Sequence, residues 1–289
     1  MFEKDHFPWN KNPVTKICLN CNNYFEISKS RNKDGRGKFC CLQCRSNYKF
    51  KLSKQFVIDS NLAELIGIII GDGCINKCWN RKDYRIQISG NPVEDKDYYE
   101  YYLPKLLFDC LKIKRKPYLG SNGAYIIQFQ SEPFRLFLKD LEIFSPKAKI
   151  VRIPNIIKED EILLKSCIKG IFDSDFTIIF NKRKKNGLHY YPRITACFAS
   201  KNLVKDLEFS LRKFNFTLNC KYDVFINDPR CFSYITNFIN LDGPHNLERW
   251  MSLIGSSNSR ILTKYFVWKK QGHLEPKSTL EDRKKILMG

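Results

Sequence analysis

The chain has 289 residues, 43% hydrophobic and 14% aromatic, enough to bury a core in one large domain or two to three smaller ones, and this excludes wholesale disorder. Its 50 Lys and Arg against 30 Asp and Glu leave a formal charge of +20, which favours a polyanionic partner, nucleic acid foremost. No long apolar span or signal peptide is found, which argues against membrane insertion and secretion and for an intracellular (cytoplasmic) location beside the genome.

Residues 1–17 carry Pro8, Trp9 and Pro13 without periodicity and are expected to form a loosely packed arm. Five of the 12 cysteines then crowd residues 18–44. Without a secretory signal, metal or core roles are favoured over disulfides. Cys18-Leu-Asn-Cys21, a basic loop and Phe39-Cys40-Cys41-Leu42-Gln43-Cys44 have the spacing of a structural four-thiolate zinc site. Zinc would supply the folding energy that so short a segment cannot gain from apolar burial. Spacing alone leaves either Cys40 or Cys41 as the third ligand. The stretch also resembles treble-clef or ribbon-like zinc modules, whose second knuckle reads Phe-Cys-Ser-x-x-Cys. That resemblance implies Cys18, Cys21, Cys40 and Cys44 as ligands, with Cys41 in the serine position. Residues 1–55 hold 12 Lys and Arg against 4 Asp and Glu, which points to an added nucleic-acid contact.

Residues 46–55 read as a basic connector. A helix over 61–71 follows, with Ser60 or Asn61 as its cap. Cys74–Trp79 and Tyr84–Ser89 read as strands about a polar turn. A helix over 95–112, two strands about Ser121-Asn122-Gly123 (the second Ala124–Gln130) and a helix near 131–143 complete the unit. The order then recurs. A helix holds Ile162–Ser174, and strands flank the turn ending at Asn186-Gly187. A helix over 200–214, strands near 217–226 and 231–240, and a helix near 244–254 follow. Trp250, Tyr265, Phe266 and Trp268 are read as core aromatics.

Each unit opens on a related stretch, Leu62-Ala63-Glu64-Leu65-Ile66-Gly67-Ile68-Ile69-Ile70-Gly71-Asp72-Gly73 and Cys167-Ile168-Lys169-Gly170-Ile171-Phe172-Asp173-Ser174-Asp175-Phe176. Gly67 and Gly71, and Gly170 and Ser174, are four residues apart, so each helix carries one side-chain-poor stripe. Two such stripes could meet at close backbone distance and bring Asp72 and Asp175, 103 residues apart in the chain, to one end. Asp173 should point elsewhere and cap or pack at the interface. The repeat predicts two halves about a pseudo-twofold axis.

These two stretches resemble the signature helices of LAGLIDADG homing endonucleases in their single-chain, two-repeat, archaeal-type form. Arg85-Ile-Gln-Ile-Ser-Gly-Asn91, Ile150-Val-Arg-Ile-Pro154 and the segment Gly255–Lys270 add to the likeness, which covers residues 56–271. The resemblance implies an α+β fold of two αββαββα repeats with curved antiparallel sheets beside the zinc module. Its implied divisions are 1–55 (arm and zinc module), 56–153 and 154–275 (the repeats) and 276–289 (a tail). It implies a monomeric enzyme that cuts both strands of a long double-stranded DNA site, with a stagger, by metal-dependent phosphodiester hydrolysis.

Carried over residue by residue, Asp72 and Asp175 hold Mg2+, for which Mn2+ or Ca2+ could substitute. Clustered carboxylates suit such a hard cation. Lys147 or Lys149 in the first half and Lys264, with Arg260, in the second would stabilise developing charge. DNA contacts are expected from Asn76, Arg81, Lys82, Arg85 and Gln87, and from Asn181, Lys182, Arg183, Lys184, Lys185 and Arg193. The plain reading of Lys182–Lys185 is a solvated hairpin tip. The chain departs from the family at Ile70, where many members carry an acid, and at Phe176, where glycine follows the acid. The second departure makes nicking an alternative outcome at that site. A non-cleaving relative, either an RNA-splicing maturase or a DNA-binding regulator, is the competing expectation, with RNA as partner in the maturase case. The ends lack splicing-type residues, which favours a free-standing, intron-encoded enzyme over an intein-borne one.

Overall fold

A computed structural model describes residues 13–33, 37–53, 56–77, 84–182, 187–228 and 233–289. The chain divides into two compact units, residues 1–57 with 132–137, and residues 58–131 with 138–289.

In the first unit, β1 (Pro13–Ile17) pairs antiparallel with β2 (Tyr24–Ser28), Pro13 opposite Ser28 and Ile17 opposite Tyr24. A short α1 (Lys29–Lys33) and α2 (Leu42–Ser53) follow. Two expectations are corrected here. Residues 13–17 belong to a hairpin rather than a loose arm, and the basic connector is helical as far as Ser53. Among the described residues of 13–53, Cys18 and Ile27 are the buried hydrophobic side chains, so apolar burial alone cannot hold this segment. Elsewhere in the unit Phe56 packs its ring 5.5 Å from Phe134 and 5.1 Å from Phe137.

Apart from residues 132–137 of the helix that ends the first repeat, which belong to the first unit, the second unit carries the repeats. The first runs α3 (Ser60–Gly71), β3 (Gly73–Lys77), β4 (Tyr84–Gly90), a π-helical turn Tyr98–Tyr102 continued by α4 (Leu103–Leu111), β5 (Tyr118–Leu119), β6 (Tyr125–Phe129) and α5 (Glu132–Asp140). After a single turn, α6 (Asn155–Lys158), the second runs α7 (Glu161–Asp175), β7 (Thr177–Asn181), β8 (Tyr191–Phe198), α8 (Lys201–Lys213), β9 (Asn219–Ile226), β10 (Tyr234–Asp242) and α9 (Pro244–Leu253). Then α10 (Ser259–Gln271) and α11 (Leu280–Met288) close the chain, the latter opened by a capping box of Thr279 and Asp282. The fold is thus α+β with two αββαββα repeats. Their antiparallel sheets share one order, β3-β4-β6-β5 and β7-β8-β10-β9.

Alternation along the strands puts one face of each sheet in the core. Ile75, Ile86, Ile88, Ile127 and Phe129 are buried in the first sheet, and Ile178, Phe180, Ile194, Phe198, Ile239 and Leu241 in the second. Of the aromatics expected in the core, Trp250 and Trp268 are buried, but Phe266 is 50% exposed. It sits on the outer side of α10, where the helical period turns it away from Val267 and Trp268.

The caps of both leading helices are aspartates just outside the apolar run. The Asp59 carboxylate accepts from Leu62 N at 2.8 Å, so the cap of α3 is Asp59 rather than Ser60 or Asn61. Asp160 accepts from Ile162 N and Leu163 N at 2.8 and 3.0 Å at the start of α7. The two helices then pack backbone to backbone. A Cβ added to Gly67 would stand 2.1 Å from the Cys167 carbonyl oxygen, and one added to Gly170 would stand 2.1 Å from that of Glu64. A partly buried ion pair crosses the seam. Glu64 of α3 accepts from Lys169 Nζ of α7 at 2.9 Å and from the Tyr102 hydroxyl at 2.6 Å.

Candidate active site

The close packing of α3 and α7 continues to their C-terminal ends. At Gly71 an added Cβ would lie 2.0 Å from Ser174 Oγ and 2.9 Å from Asp175 Oδ2. Ser174 can approach because its hydroxyl turns back to the Gly170 and Ile171 carbonyls, both at 3.0 Å. The Asp175 carboxylate therefore lies against the residue that precedes Asp72. Asp72 is partly buried and Asp175 is exposed. Desolvation by surrounding protein, then the charge of Asp175, then that of Asp95, push the Asp72 carboxyl up to about 8. Desolvation raises Asp175 to about 6 against the opposing pull of Lys147 and Arg260.

A helix C-terminus leaves carbonyls unsatisfied, and a cation there is favoured twice, by hydrogen bonding and by the helix dipole. Each leading helix has one. Lys147 Nζ donates to the Ile70 and Gly71 carbonyls at 2.5 and 2.9 Å. Burial lowers its pKa, against the attraction of Asp175 and Asp72. Arg260 Nη2 donates to the Asp173 and Ser174 carbonyls at 3.2 and 3.4 Å, and Nη1 to that of Phe176 at 3.3 Å. Lys149, the other candidate of the first half, is exposed. Lys264 donates to Thr177 Oγ1 and the Ile178 carbonyl at 3.4 and 3.3 Å, one helical turn beyond Arg260, and desolvation together with Arg260 and Arg283 lowers it to about 8.

Sequence reasoning passed over part of this cluster. Asp95, 8% exposed, accepts from Arg260 Nε at 2.9 Å and from Asn258 Nδ2 at 2.8 Å. The Tyr99 hydroxyl is buried with no hydrogen-bond partner among the described residues, and the charges of Asp72 and Asp95 add to burial in raising its pKa. Asp173 is buried and packs against the loop before α10, where Ser256 Oγ and Ser257 N, the latter at 2.7 Å, donate to it. Burial raises it to about 7 despite those bonds. The signal for Asp95 was present in the sequence, a carboxylate four residues after Asn91 at the end of a strand, but its partner lies 165 residues further on.

The face of each sheet turned away from the core carries the polar candidates. In the first sheet Asn76 lies opposite Arg85, and Gln87 opposite Cys74 and Gln128. Cys74 is exposed on this face. Ser89 and Tyr118 join the row through hydrogen bonds, Gln87 to Ser89 at 3.0 Å and Tyr118 to Gln128 at 3.3 Å. In the second sheet Arg193 lies opposite Asp242 and Ile179, and Asn181 opposite Tyr191. Arg193 is engaged by Asp242 at 2.6 Å, so its charge is neutralised within the protein, unlike a cation held ready for an anion. Lys182 is exposed, whereas Arg81, Lys82, Arg183, Lys184 and Lys185 lie outside the described residues.

In the first unit the Sγ atoms of Cys18, Cys21, Cys40 and Cys44 all lie within 4.8 Å of one another. Cys40 is 3.7 Å from Cys21 and 3.5 Å from Cys44, against the roughly 3.8 Å sulfur separation that 2.3 Å Zn–S bonds make in a tetrahedron. Cys41 instead accepts from Cys44 N at 3.4 Å, the bond an N-cap makes at the start of α2.

No family model matches the chain. An uncharacterized protein of Methanocaldococcus jannaschii, MJ0314, is 24% identical over 181 residues, and the chain spans 62% of that relative's length and 62% of its own. Among solved structures, the homing endonuclease I-WcaI bound to its DNA recognition sequence is similar at 17% identity and a TM-score of 0.46, over 77% of this chain and 91% of that one. I-SmaMI bound to an uncleaved DNA target with calcium ions is similar at 12% and 0.46, over 80% and 97%. Full-length DUF199/WhiA from Thermatoga maritima is similar at 15% and 0.41, over 83% and 64%. With TM-scores below 0.5 these likenesses decide nothing about function, which rests on the residues of the site.

Proposed function

We propose that the chain is a monomeric, metal-dependent DNA endonuclease of the LAGLIDADG kind. The observation that carries this reading is the meeting of Asp72 and Asp175 at the end of a glycine-lined helix pair, with Lys147 and Arg260 on the two helix ends beside them. Both carboxyls are held above their ordinary range, Asp72 by desolvation and the charge of Asp175, and Asp175 by desolvation against Lys147 and Arg260, so a divalent cation would relieve the cost of ionising them there. An all-oxygen donor set suits Mg2+, with Asp72 and Asp175 as its holders. When bound, the metal supplies an activated water and stabilises the leaving oxygen.

The chain's own residues do the rest. Lys147 and Arg260 keep positive charge at the two helix ends, where a phosphate's developing negative charge would be stabilised. Lys264, lowered to about 8, lies within reach of changing its protonation near neutral pH. The open sheet faces offer amides, hydroxyls and Arg85 for base edges in a major groove, and the +20 charge draws the duplex in. The four-cysteine cluster is assigned a structural zinc that holds the first unit together. A nicking enzyme is the second reading, favoured by Phe176, whose burial gives the second helix a different exit from the first.

The test is Mg2+-dependent cutting of a randomised DNA library by the purified chain. A staggered double-strand break at one long sequence is expected. A single-strand break supports the nicking reading, and metal-independent binding without any cut refutes nuclease function. Elemental analysis should find about one zinc per chain; none would refute the zinc assignment.

A further inference from the structure

Arg260 reaches its place at the end of α7 by a contact from the other repeat. Its guanidinium uses Nη1 and Nη2 on the carbonyls of Asp173, Ser174 and Phe176, and turns Nε to Asp95, which lies between β4 and the π-helical turn of the first repeat. Asp95 is itself fixed. Its Oδ2 accepts from Asn91 N at 3.0 Å, and its Oδ1 also accepts from Asn258 Nδ2. Asn258 caps α10 through Arg260 N at 2.9 Å and donates to the Asp173 carbonyl at 3.0 Å. The carboxylate thus sets the start of α10 and the guanidinium plane together, and a two-point grip on a planar fork leaves it little rotational freedom.

The second repeat holds an acid in the same stretch, between its second and third strands. Asp206, also 8% exposed, accepts from Arg152 Nη2 at 3.0 Å, Ile153 N at 3.1 Å and Lys158 Nζ at 3.3 Å. Each repeat therefore grips the segment that follows the other repeat. The two grips differ in what they hold. Asp206 fixes the connector five residues beyond Lys147, while Asp95 holds the site cation itself.

We propose that Asp95 is a positioning residue that couples the first repeat to the second half of the site, by fixing the Arg260 guanidinium over the end of α7. The inference builds on the nuclease reading for its functional consequence, but the positioning can be measured without DNA. In the zinc-containing full chain, nitrogen-15 NMR of the Arg260 Nε–H should show slow hydrogen exchange. Asp95→Asn and Asp95→Ala should each speed that exchange by at least about tenfold, and Asp95→Glu should retain part of the protection. Asp206→Asn, the control for loss of a buried acid, should leave it unchanged. On a DNA target recovered from the library, Asp95→Asn should slow cutting of one strand by roughly tenfold to a hundredfold, the scale of a misplaced catalytic group. The same change should add nothing in an Arg260→Ala background. Unchanged exchange in both Asp95→Asn and Asp95→Ala, or losses that multiply with Arg260→Ala, would overturn the proposal. Altered exchange in a protein that cuts no DNA would uphold the positioning and refute the nuclease reading alone.

Discussion

At the end of α3 the acid is the capping residue, and the chain turns through Gly73 directly into β3; at the end of α7 the acid is the last helical residue, and the extended Phe176 leads into β7. The first exit is made by the absence of a side chain, since a Cβ on Gly73 would stand 2.5 Å from the Ile69 carbonyl oxygen. The second is made by the presence of one. Phe176 is fully buried, its ring 5.6 to 5.8 Å from those of Phe172, Phe198 and Trp250. The cations differ in parallel, a lysine on the first helix end and an arginine on the second. The ends of the two paired helices thus turn into their strands by different local means, one through a missing side chain and the other through a buried ring.

The sharpest way to break this comparison is to place a glycine at position 176. Phe176→Gly removes a large core side chain and adds backbone freedom, and should destabilise the chain by about 3–5 kcal/mol in denaturant unfolding. A neutral result would mean that the second exit does not depend on the ring. Next in size, Gly170→Ala presses a methyl group onto the Glu64 backbone and should cost about 1–3 kcal/mol, whereas Gly187→Ala, with open space around its Cβ, should cost only its positive-φ strain. Equal costs would contradict the close seam.

The sheets give a smaller contrast. Arg85→Ala should weaken duplex binding by about 1–3 kcal/mol, and Arg193→Ala, already paired with Asp242, by less, as read in titrations at matched salt. A larger loss at Arg193 would mean that the ion pair opens to meet the DNA.

The smallest effect concerns pH. Asp72, Asp173 and Asp175 are raised in the fold to about 8, 7 and 6, so between about pH 4 and pH 8 the native state binds more protons than the unfolded chain. Without added divalent metal, Tm should therefore fall as pH rises through that window. Asp72→Asn should flatten the slope and raise Tm at pH 8; a steeper slope in that variant would contradict the assigned direction.

How far the sequence could be read follows from the range of each interaction. Period-two and helical spacing are local, so both repeats, their sheets and the paired glycine stripes were legible. The hairpin at residues 13–28 was not, because its strands alternate across a face that buries little. Nor was the cap at Asp59, which lies outside the apolar run that announced the helix. Long-range pairings were beyond local pattern. The pairing of Arg193 with Asp242 follows from strand register across 49 residues, and Arg260 acquired its holder only through a carboxylate in the other repeat.

The central claim is that Asp72 and Asp175 form one metal-dependent site for cutting DNA. It is tested most directly by single-turnover cleavage of the library-derived target with the wild-type chain, Asp72→Asn and Asp175→Asn, duplex affinity being measured alongside. The account predicts Mg2+-dependent cutting by the wild type and none by either variant, with affinity held within a few fold. Undiminished cutting by either variant, or a wild type that binds the duplex and leaves both strands intact, would contradict it.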